Sequence, residues 1–442
     1  MRLHFHMLGV NTIGSFIAHH LRRVEHKVTL LLRDTAEQAI LKRRGYSIKL
    51  EDEEGVINVA SMLNSESMEN LEMGDAINPK FLRGPQLIEN RIRSLIVTIT
   101  PYKVGRNIAR LFYRMGPETT IVLLTNGMGV YEELVKGFFV DESTRPNLLL
   151  ARTTHEVFQR GSFDVKLVKQ GEIYFASPDN NPLTNQVLLE AKRKKLKIKV
   201  KKENQDRIDY KPILEEILRT SYIDPSYIKA HPEIVNLIRA KSMESTIRAL
   251  SVIPELQIEY VSYQELQEML FEKQMVDCVV QPLTTIYAIT NNGLVNNPPA
   301  NRVIDAICME NSVIMDRHSV ELGLRPSSRW RKRRIMEQVE QRCQKVPLHW
   351  STMLHNIRDR GITDVEYVNG YMVRLGVKYG IPTPVNSLMV DMVKMKHRLL
   401  AAPNVYRIKE KGIRQRTPNE FSDHKKRTPD QAMLRDPPLD EY

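Results

Sequence analysis

Four groups of residues along this chain carry functional groups at spacings that suit a reaction. An apolar run ending at Leu8 leads into Gly9-Val10-Asn11-Thr12-Ile13-Gly14 and then a helical pattern. This is the position and spacing of the dinucleotide fingerprint G-x-G-x-x-G, whose backbone amides and helix N-terminus hold a pyrophosphate. The middle glycine is Asn11, whose side chain is expected to crowd a pyrophosphate that glycine would let approach, although asparagine tolerates unusual backbone angles better than most residues. A turn that merely joins a strand to a helix explains the same residues. At the end of the next strand, Leu32-Arg33-Asp34 puts a guanidinium where an adenosine ribose would lie. An acidic residue there favours NAD and an arginine favours a 2′-phosphate, so Arg33 points to NADP unless it is an ordinary surface arginine. Further on, Thr125-Asn126-Gly127-Met128-Gly129 closes another strand, and the Asn126 carboxamide can bond cofactor or substrate or simply make an Asn-Gly turn. The last group is Lys273, Asp277 and Gln281, spaced four apart and so on one helix face, opposite the apolar Met275, Val276, Val279 and Val280. That face either lines a site or is a solvated surface.

The elements that must position these groups follow from periodicity. Over the first 180 residues, apolar runs at Leu3–Leu8, Lys27–Leu32, Ser94–Ile99, Thr120–Leu124 and Leu148–Thr153 alternate with helical patterns at Ile13–Val24, Gly105–Met115 and Val130–Phe139. This is the rhythm of βαβ units around a parallel sheet. Phe163–Lys169 and Glu172–Ala176 are expected to pair as strands and end the sheet in an antiparallel edge. The fold class is therefore α/β, with a Rossmann-type domain over 1–180. From 181 to 400 the period is 3.6, with helices expected at Tyr260–Ile289, Ala300–Leu322, Arg329–Gln344, Pro347–Arg360 and Val365–Gly376. Residues 206–255, broken by Pro212, Pro225, Pro232 and Pro254, read as an insertion in this helical domain. Residues 401–442 are rich in charge and proline and read as an extended tail.

Composition bounds the class of protein. Across 442 residues, 42% are hydrophobic and 27% charged, which suits globular domains and not a fibrous or mainly disordered chain. No apolar run approaches the roughly 18 residues of a membrane-spanning helix, so integral membrane association is not expected. The three cysteines, Cys278, Cys308 and Cys343, are far apart and form no C-x-x-C pair, so neither a disulfide framework nor a zinc site is indicated. No metal-ligand spacing occurs among the histidines. A reducing interior, cytoplasmic or mitochondrial, is the expected home, because the first strand begins at once and leaves no room for a secretory signal. The formal charge of +12 admits nucleic acid, anionic lipid or phosphorylated ligands as partners without choosing among them. Residues 192–202, where lysines alternate with apolar residues, read as a strand with one solvated basic face or as an RNA- or phosphate-binding stripe. Likewise Arg329-Trp330-Arg331-Lys332-Arg333-Arg334 reads as a solvated helix start with Trp330 in the core, or as a cationic cluster whose aromatic stacks on a base.

Taken in order, several of these motifs resemble the ketopantoate reductase (2-dehydropantoate 2-reductase) family over residues 3–180 and 255–395. The resemblance rests on the opening glycine loop, Val97-Thr98-Ile99, Asn126-Gly127-Met128-Gly129, Lys273 through Pro282-Leu283-Thr284, and Asn292-Gly293. It continues in the Thr352-Met353 segment and in Glu366-Tyr367-Val368-Asn369-Gly370 followed by Gly380-Ile381-Pro382-Thr383-Pro384. It implies a Rossmann domain that binds NADPH through Gly9, Asn11, Gly14, Arg33, Thr100 and Asn126, a helical domain, and a small keto acid between the two. Hydride passes to the ketone carbon while Lys273, matching the family lysine, polarises the oxygen and supplies the proton. The chain departs from the family at Asn11, at Thr100 in place of a lysine, and at Asp277 and Gln281 in place of asparagines. Thr352 stands in place of a serine and Asp364 in place of a glutamate. By position Asp277, Gln281 and Thr352 are then substrate-binding and Asp364 is catalytic. A carboxylate at Asp277 is expected to hold the Lys273 ammonium in a salt bridge and repel an anionic substrate. The departures, the 206–255 segment and the basic stretches also suit a family member that kept its fold and acts as an RNA- or ribosome-binding factor, for example in organellar translation.

Overall fold

The computed structural model describes residues 2–70, 91–178, 232–324, 328–359 and 361–401. The basic stretch 192–202, the first part of the 206–255 segment and the tail beyond 401 lie outside these residues. In chain order the first half holds β1 (His4–Leu8), α1 (Thr12–Arg23), β2 (Lys27–Leu32), α2 (Thr35–Arg43), β3 (Ile48–Glu51), β4 (Ile57–Ala60) and β5 (Asn64–Ser67). There follow β6 (Ser94–Val97), α3 (Pro101–Leu111), β7 (Thr120–Leu123), α4 (Val130–Gly137), β8 (Asn147–Thr153), β9 (Glu156–Gly161), β10 (Asp164–Lys169) and β11 (Ile173–Ala176). The second half holds α5 (Pro232–Ser251), β12 (Ile258–Tyr260), α6 (Tyr263–Tyr287), α7 (Pro298–Glu321), α8 (Lys332–Lys345), α9 (Thr352–Arg358), α10 (Asn369–Tyr379) and α11 (Pro384–Ala401).

Eight strands form one sheet in the order β12-β11-β8-β7-β6-β1-β2-β5. The six from β8 to β5 are parallel, β11 runs antiparallel to β8, and β12 is parallel to β11. Both faces are covered, which is why the strands read as unbroken apolar runs. Phe5, Met7, Leu30, Leu32 and Ile96 point to the face packed by α1 and α5. Their neighbours Leu8, Leu31, Leu95 and Val97 point to the face packed by α3 and α4. The strand order reverses between β1 and β6, the point at which doubly wound sheets bind ligands beyond their carboxyl ends.

Two expectations need correction. Residues 163–169 and 173–176 do not pair with each other. β10 joins a second, four-stranded sheet of order β4-β3-β10-β9, and only β11 returns to the main sheet as its antiparallel neighbour. The described part of 206–255 is also no insertion in the helical domain, because α5 crosses the starts of the parallel strands. There Thr246 bonds Ser94 (2.7 Å), Ser242 bonds Thr120 (2.9 Å), and Asn147 Nδ2 donates to the Arg239 carbonyl (3.0 Å). Ile238, Met243, Ile247 and Leu250 of α5 are buried, the last three in the sheet's own core.

The remaining helices α6–α11 enclose a separate core around Phe271, Met275, Ile314, Trp330 and Met372. The long α6 starts in a capping box, with Ser262 and Glu265 each taking the other's backbone amide. Pro282 within it cannot donate to the Cys278 carbonyl one turn back, and the Asn369 side chain bonds that carbonyl instead (2.9 Å). Asn369 in turn meets Asn386, and Asn386 meets Glu310 and Asn311, so the Asn369-Gly370 and Pro384-Val385-Asn386 motifs form one buried polar network behind α6.

Candidate active site

The turn after β1 is tied to the end of β6. Thr98 Oγ1 donates to the Gly9 carbonyl (2.8 Å) and Asn11 Nδ2 donates to the Thr98 carbonyl (2.5 Å). A Cβ on Gly14 would lie 2.1 Å from the Gly9 carbonyl oxygen, so only glycine lets α1 approach the strand this closely. Gly9 itself sits at a φ of +105°. Asn11 is the N-cap of α1, with φ −72°, and its Oδ1 accepts the Gly14 amide (2.9 Å). The expected crowding is thus relieved locally, because both polar atoms of the side chain turn into the protein. The cost is that one helix-start amide is already occupied. A glycine-closed turn at the switch point, with its asparagine folded away, fits a dinucleotide.

Arg33 follows β2, largely exposed, with Nε 2.7 Å from Asp34 Oδ2. Asp34 also caps α2 by accepting the Glu37 amide, and that amide, helped by the neighbouring Arg33 guanidinium, holds its carboxyl below the usual range. Thr100 precedes α3, where Pro101 takes the first helical position. Its hydroxyl is buried with no hydrogen-bond partner among the described residues.

The loop after β7 joins this edge to the helical half. Met128 N–H donates to the Tyr367 carbonyl (3.0 Å), and a Cβ on Gly127 would stand 2.8 Å from that oxygen and from Tyr367 Cβ. Gly127, at φ +77°, is therefore required by backbone against backbone. Gln274 of α6 reaches the same segment, donating to the carbonyls of Tyr367 (3.0 Å) and Val368 (2.8 Å). One residue earlier on α6, Lys273 Nζ donates to Asn126 Oδ1 (2.5 Å).

Burial pulls the Lys273 ammonium below the ordinary lysine value, opposed by Asp277 and Asp364 and reinforced by Arg152 and Arg342. Asp364, 4% exposed, precedes a short 3₁₀ turn at Val365–Tyr367, and its Oδ1 has no hydrogen-bond partner among the described residues. Desolvation raises this carboxyl to about 7, against the pull of Lys103 and Lys273. The structure thus gathers Asn126, Lys273, Asp277 and Asp364 at one place, beside the Rossmann edge that carries the glycine turn. Gln281 lies part-buried on the same α6 face. Thr352 is exposed at the start of α9, and it is the preceding Ser351 that is buried, accepting from Thr284 Oγ1 (2.8 Å) and the Leu354 amide (3.2 Å).

Sequence reasoning missed two cations here. Lys103 returns a positive charge to the α3 start, where Thr100 had seemed to remove one. Arg152, in the apolar run of β8, projects toward α6, with Nη1 donating to the Met269 carbonyl (2.8 Å). The only signal for either was a charge next to a strand end. Trp330, by contrast, is fully buried against Phe271, and its flanking Arg329, Lys332, Arg333 and Arg334 pair with Glu268, Asp305 and Glu337. It is a core residue and offers no face to a base.

Comparison with known proteins points to one family. Residues 5–180 match the family model described as "Ketopantoate reductase PanE/ApbA", and residues 265–397 match its C-terminal counterpart. The 2-dehydropantoate 2-reductase of Escherichia coli O157:H7 is 24% identical over 302 residues, covering 68% of this chain and 73% of that protein. The Schizosaccharomyces pombe protein described as "Probable 2-dehydropantoate 2-reductase" is 20% identical over 407 residues, covering 88% and 95%. Among solved structures, D-mandelate dehydrogenase with NADH and anilino(oxo)acetate superposes with a TM-score of 0.60 at 14% identity, covering 90% of this chain and 99% of that one. The 2-dehydropantoate 2-reductase of Methylococcus capsulatus does so at 0.57 and 12%, covering 91% and 98%. These structural likenesses speak to the fold. With two family models spanning both halves of the molecule, this chain is a divergent member of the ketopantoate reductase family.

Proposed function

We propose that this protein reduces 2-dehydropantoate, or a closely similar 2-keto acid, to the 2-hydroxy acid with NADPH. The observation that carries the reading is the Lys273–Asn126 contact beside the buried carboxyl of Asp364. When bound, the nicotinamide supplies the hydride. The glycine turn and the α1 start would hold the pyrophosphate, and Arg33 supports a preference for the 2′-phosphate of NADPH. Asn126 keeps Lys273 Nζ aimed, so the ammonium meets the ketone oxygen and steadies the charge that develops there as the carbon is reduced. Nζ gives up its proton to that oxygen, which its lowered pKa eases, and the Asp364 carboxyl is placed to return one. The complexes and names of the relatives, all oxidoreductases acting on 2-oxo or 2-hydroxy acids, favour the same class.

The test is NADPH oxidation by the full chain with 2-dehydropantoate, with NADH as the control. Lys273→Ala is expected to lose about 10²–10⁴-fold in kcat while still binding NADPH. A wild-type protein that binds NADPH and turns over no 2-keto acid would sink the proposal.

A further inference from the structure

The charges around Lys273 do not balance within the protein. Arg152 lies on β8 opposite Tyr174 and is part-buried, with one hydrogen bond, from Nη1 to the Met269 carbonyl. Its Nε is buried without a hydrogen-bond partner, and no carboxylate among the described residues lies within salt-bridge reach of it. A desolvated guanidinium normally fills its fork with a carboxylate, so donors left open in this way call for a cause. The acidic groups nearby are Glu272 and Asp277. Glu272 is already taken by Arg329, 3.6 Å away. That leaves Asp277 shared between Arg152 and Lys273, two cations from different elements that repel each other across the join of the two halves.

We propose that Arg152 anchors the carboxylate of the substrate, and so restricts the site to ketones that carry a carboxylate on the adjacent carbon. The proposal rests on the reductase reading and names the residue that selects its substrate class. In a 2-keto acid the carboxylate is bonded directly to the carbonyl carbon, so a site that places the ketone oxygen on Lys273 needs its second cation immediately beside the first. Arg152, whose Nη1 bonds the Met269 carbonyl one helical turn before Lys273, is that neighbour, and a planar fork suits a carboxylate better than an ammonium does. Asp277 then has a different role from simple repulsion. It offsets part of the charge of the cation pair, leaving a net positive site in which an incoming carboxylate replaces missing bonds to Arg152.

The experiment compares wild type, Arg152→Gln and Arg152→Lys on 2-dehydropantoate and on its neutral lactone, with oxamate titrated calorimetrically as a carboxylate that cannot be turned over. Removing the charged fork is expected to cost about 100-fold in kcat/KM on the acid, chiefly through KM, and little on the lactone. Arg152→Lys, which keeps the charge but not the fork, is expected to fall between the two and to report should Arg152→Gln fail to fold. Oxamate binding is expected to weaken at least tenfold in Arg152→Gln with NADPH binding kept. Equal losses on acid and lactone would reduce Arg152 to a strut between β8 and α6 and overturn the proposal, as would unchanged oxamate affinity. If wild type reduces neither substrate the reductase reading fails, and the oxamate titration still decides for or against Arg152.

Discussion

Asp364 is a carboxyl buried at 4% exposure whose desolvation outweighs the attraction of Lys103 and Lys273, leaving it titrating at about 7. Reduction consumes a proton, so the protonated carboxyl is the useful form, and it is lost as the pH rises through its pKa. The rate of reduction is therefore expected to fall with rising pH through about 7. Asp364→Asn, which cannot titrate, is expected to erase that limb and lower kcat about 100-fold. A limb that persists in Asp364→Asn would assign it to another group. The sequence pointed to Asp364 only through the family pattern. Nothing in Thr363-Asp364-Val365 announces burial, because desolvation is a property of the packed fold, and the lysines that oppose it, Lys103 and Lys273, lie far away along the chain. Arg152 was illegible for the same reason, being one charge in an apolar strand until the packing of β8 against α6 gave it neighbours. Lys273 was legible locally as part of a polar helix face, and its meeting with Asn126 was not, since the two stand 147 residues apart.

At the level of elements, the turn from β1 into α1 carries Asn11 where the dinucleotide fingerprint has its middle glycine. Asn11 caps the helix and tethers the turn to β6. Asn11→Ala is expected to lower stability by about 1 kcal/mol in chemical unfolding, the usual worth of such a cap. Asn11→Gly sacrifices less of the cap and frees the Gly14 amide, so NADPH is expected to bind it several-fold more tightly by calorimetry. Equal or weaker binding would mean that Asn11 already assists the cofactor. Apart from the polar β5 (Asn64–Ser67), which was not expected, the parallel strands were readable almost to the residue, β2 over Lys27–Leu32 completely, because burial on both faces writes an apolar run. The second sheet was not. β4 exposes Ile57 and Val59 and buries Ala60, which inverts the usual signal. α5 was taken for an insertion because Pro212, Pro225, Pro232 and Pro254 break up the segment that carries it. α11 was not among the expected helices, and it starts at Pro384, where the fixed proline backbone suits a first helical position.

Over the whole molecule, the α/β half holds an unusual set of buried histidines. Burial lowers His6 to about 2, His19 to about 3 and His20 to about 4, with neighbouring cations and histidines acting in the same direction. In the unfolded chain these rings take up protons below about pH 6.5, while in the folded protein they stay neutral. Stability is accordingly whole above that pH and drains as the pH falls from about 6.5 toward the folded values, by up to about 1.4 kcal/mol per pH unit for each ring. Urea midpoints are expected to drop between pH 7.5 and 5, and substituting His19 with a neutral side chain of similar size is expected to flatten the decline. A midpoint indifferent to pH in this range would show that the rings are accessible to protons. The two halves themselves, sheet and helical bundle, meet through Met128–Tyr367, Arg152–Met269 and Lys273–Asn126, so the reacting groups exist only in the assembled molecule. Hydride transfer at that junction is the central claim, and isotope transfer tests it most directly. NADPH deuterated at both C4 positions of the dihydronicotinamide, mixed with 2-dehydropantoate and the protein, is predicted to yield a 2-hydroxy acid carrying a single deuterium on C2. NADPH that binds without giving product, or product that forms without deuterium, would contradict it.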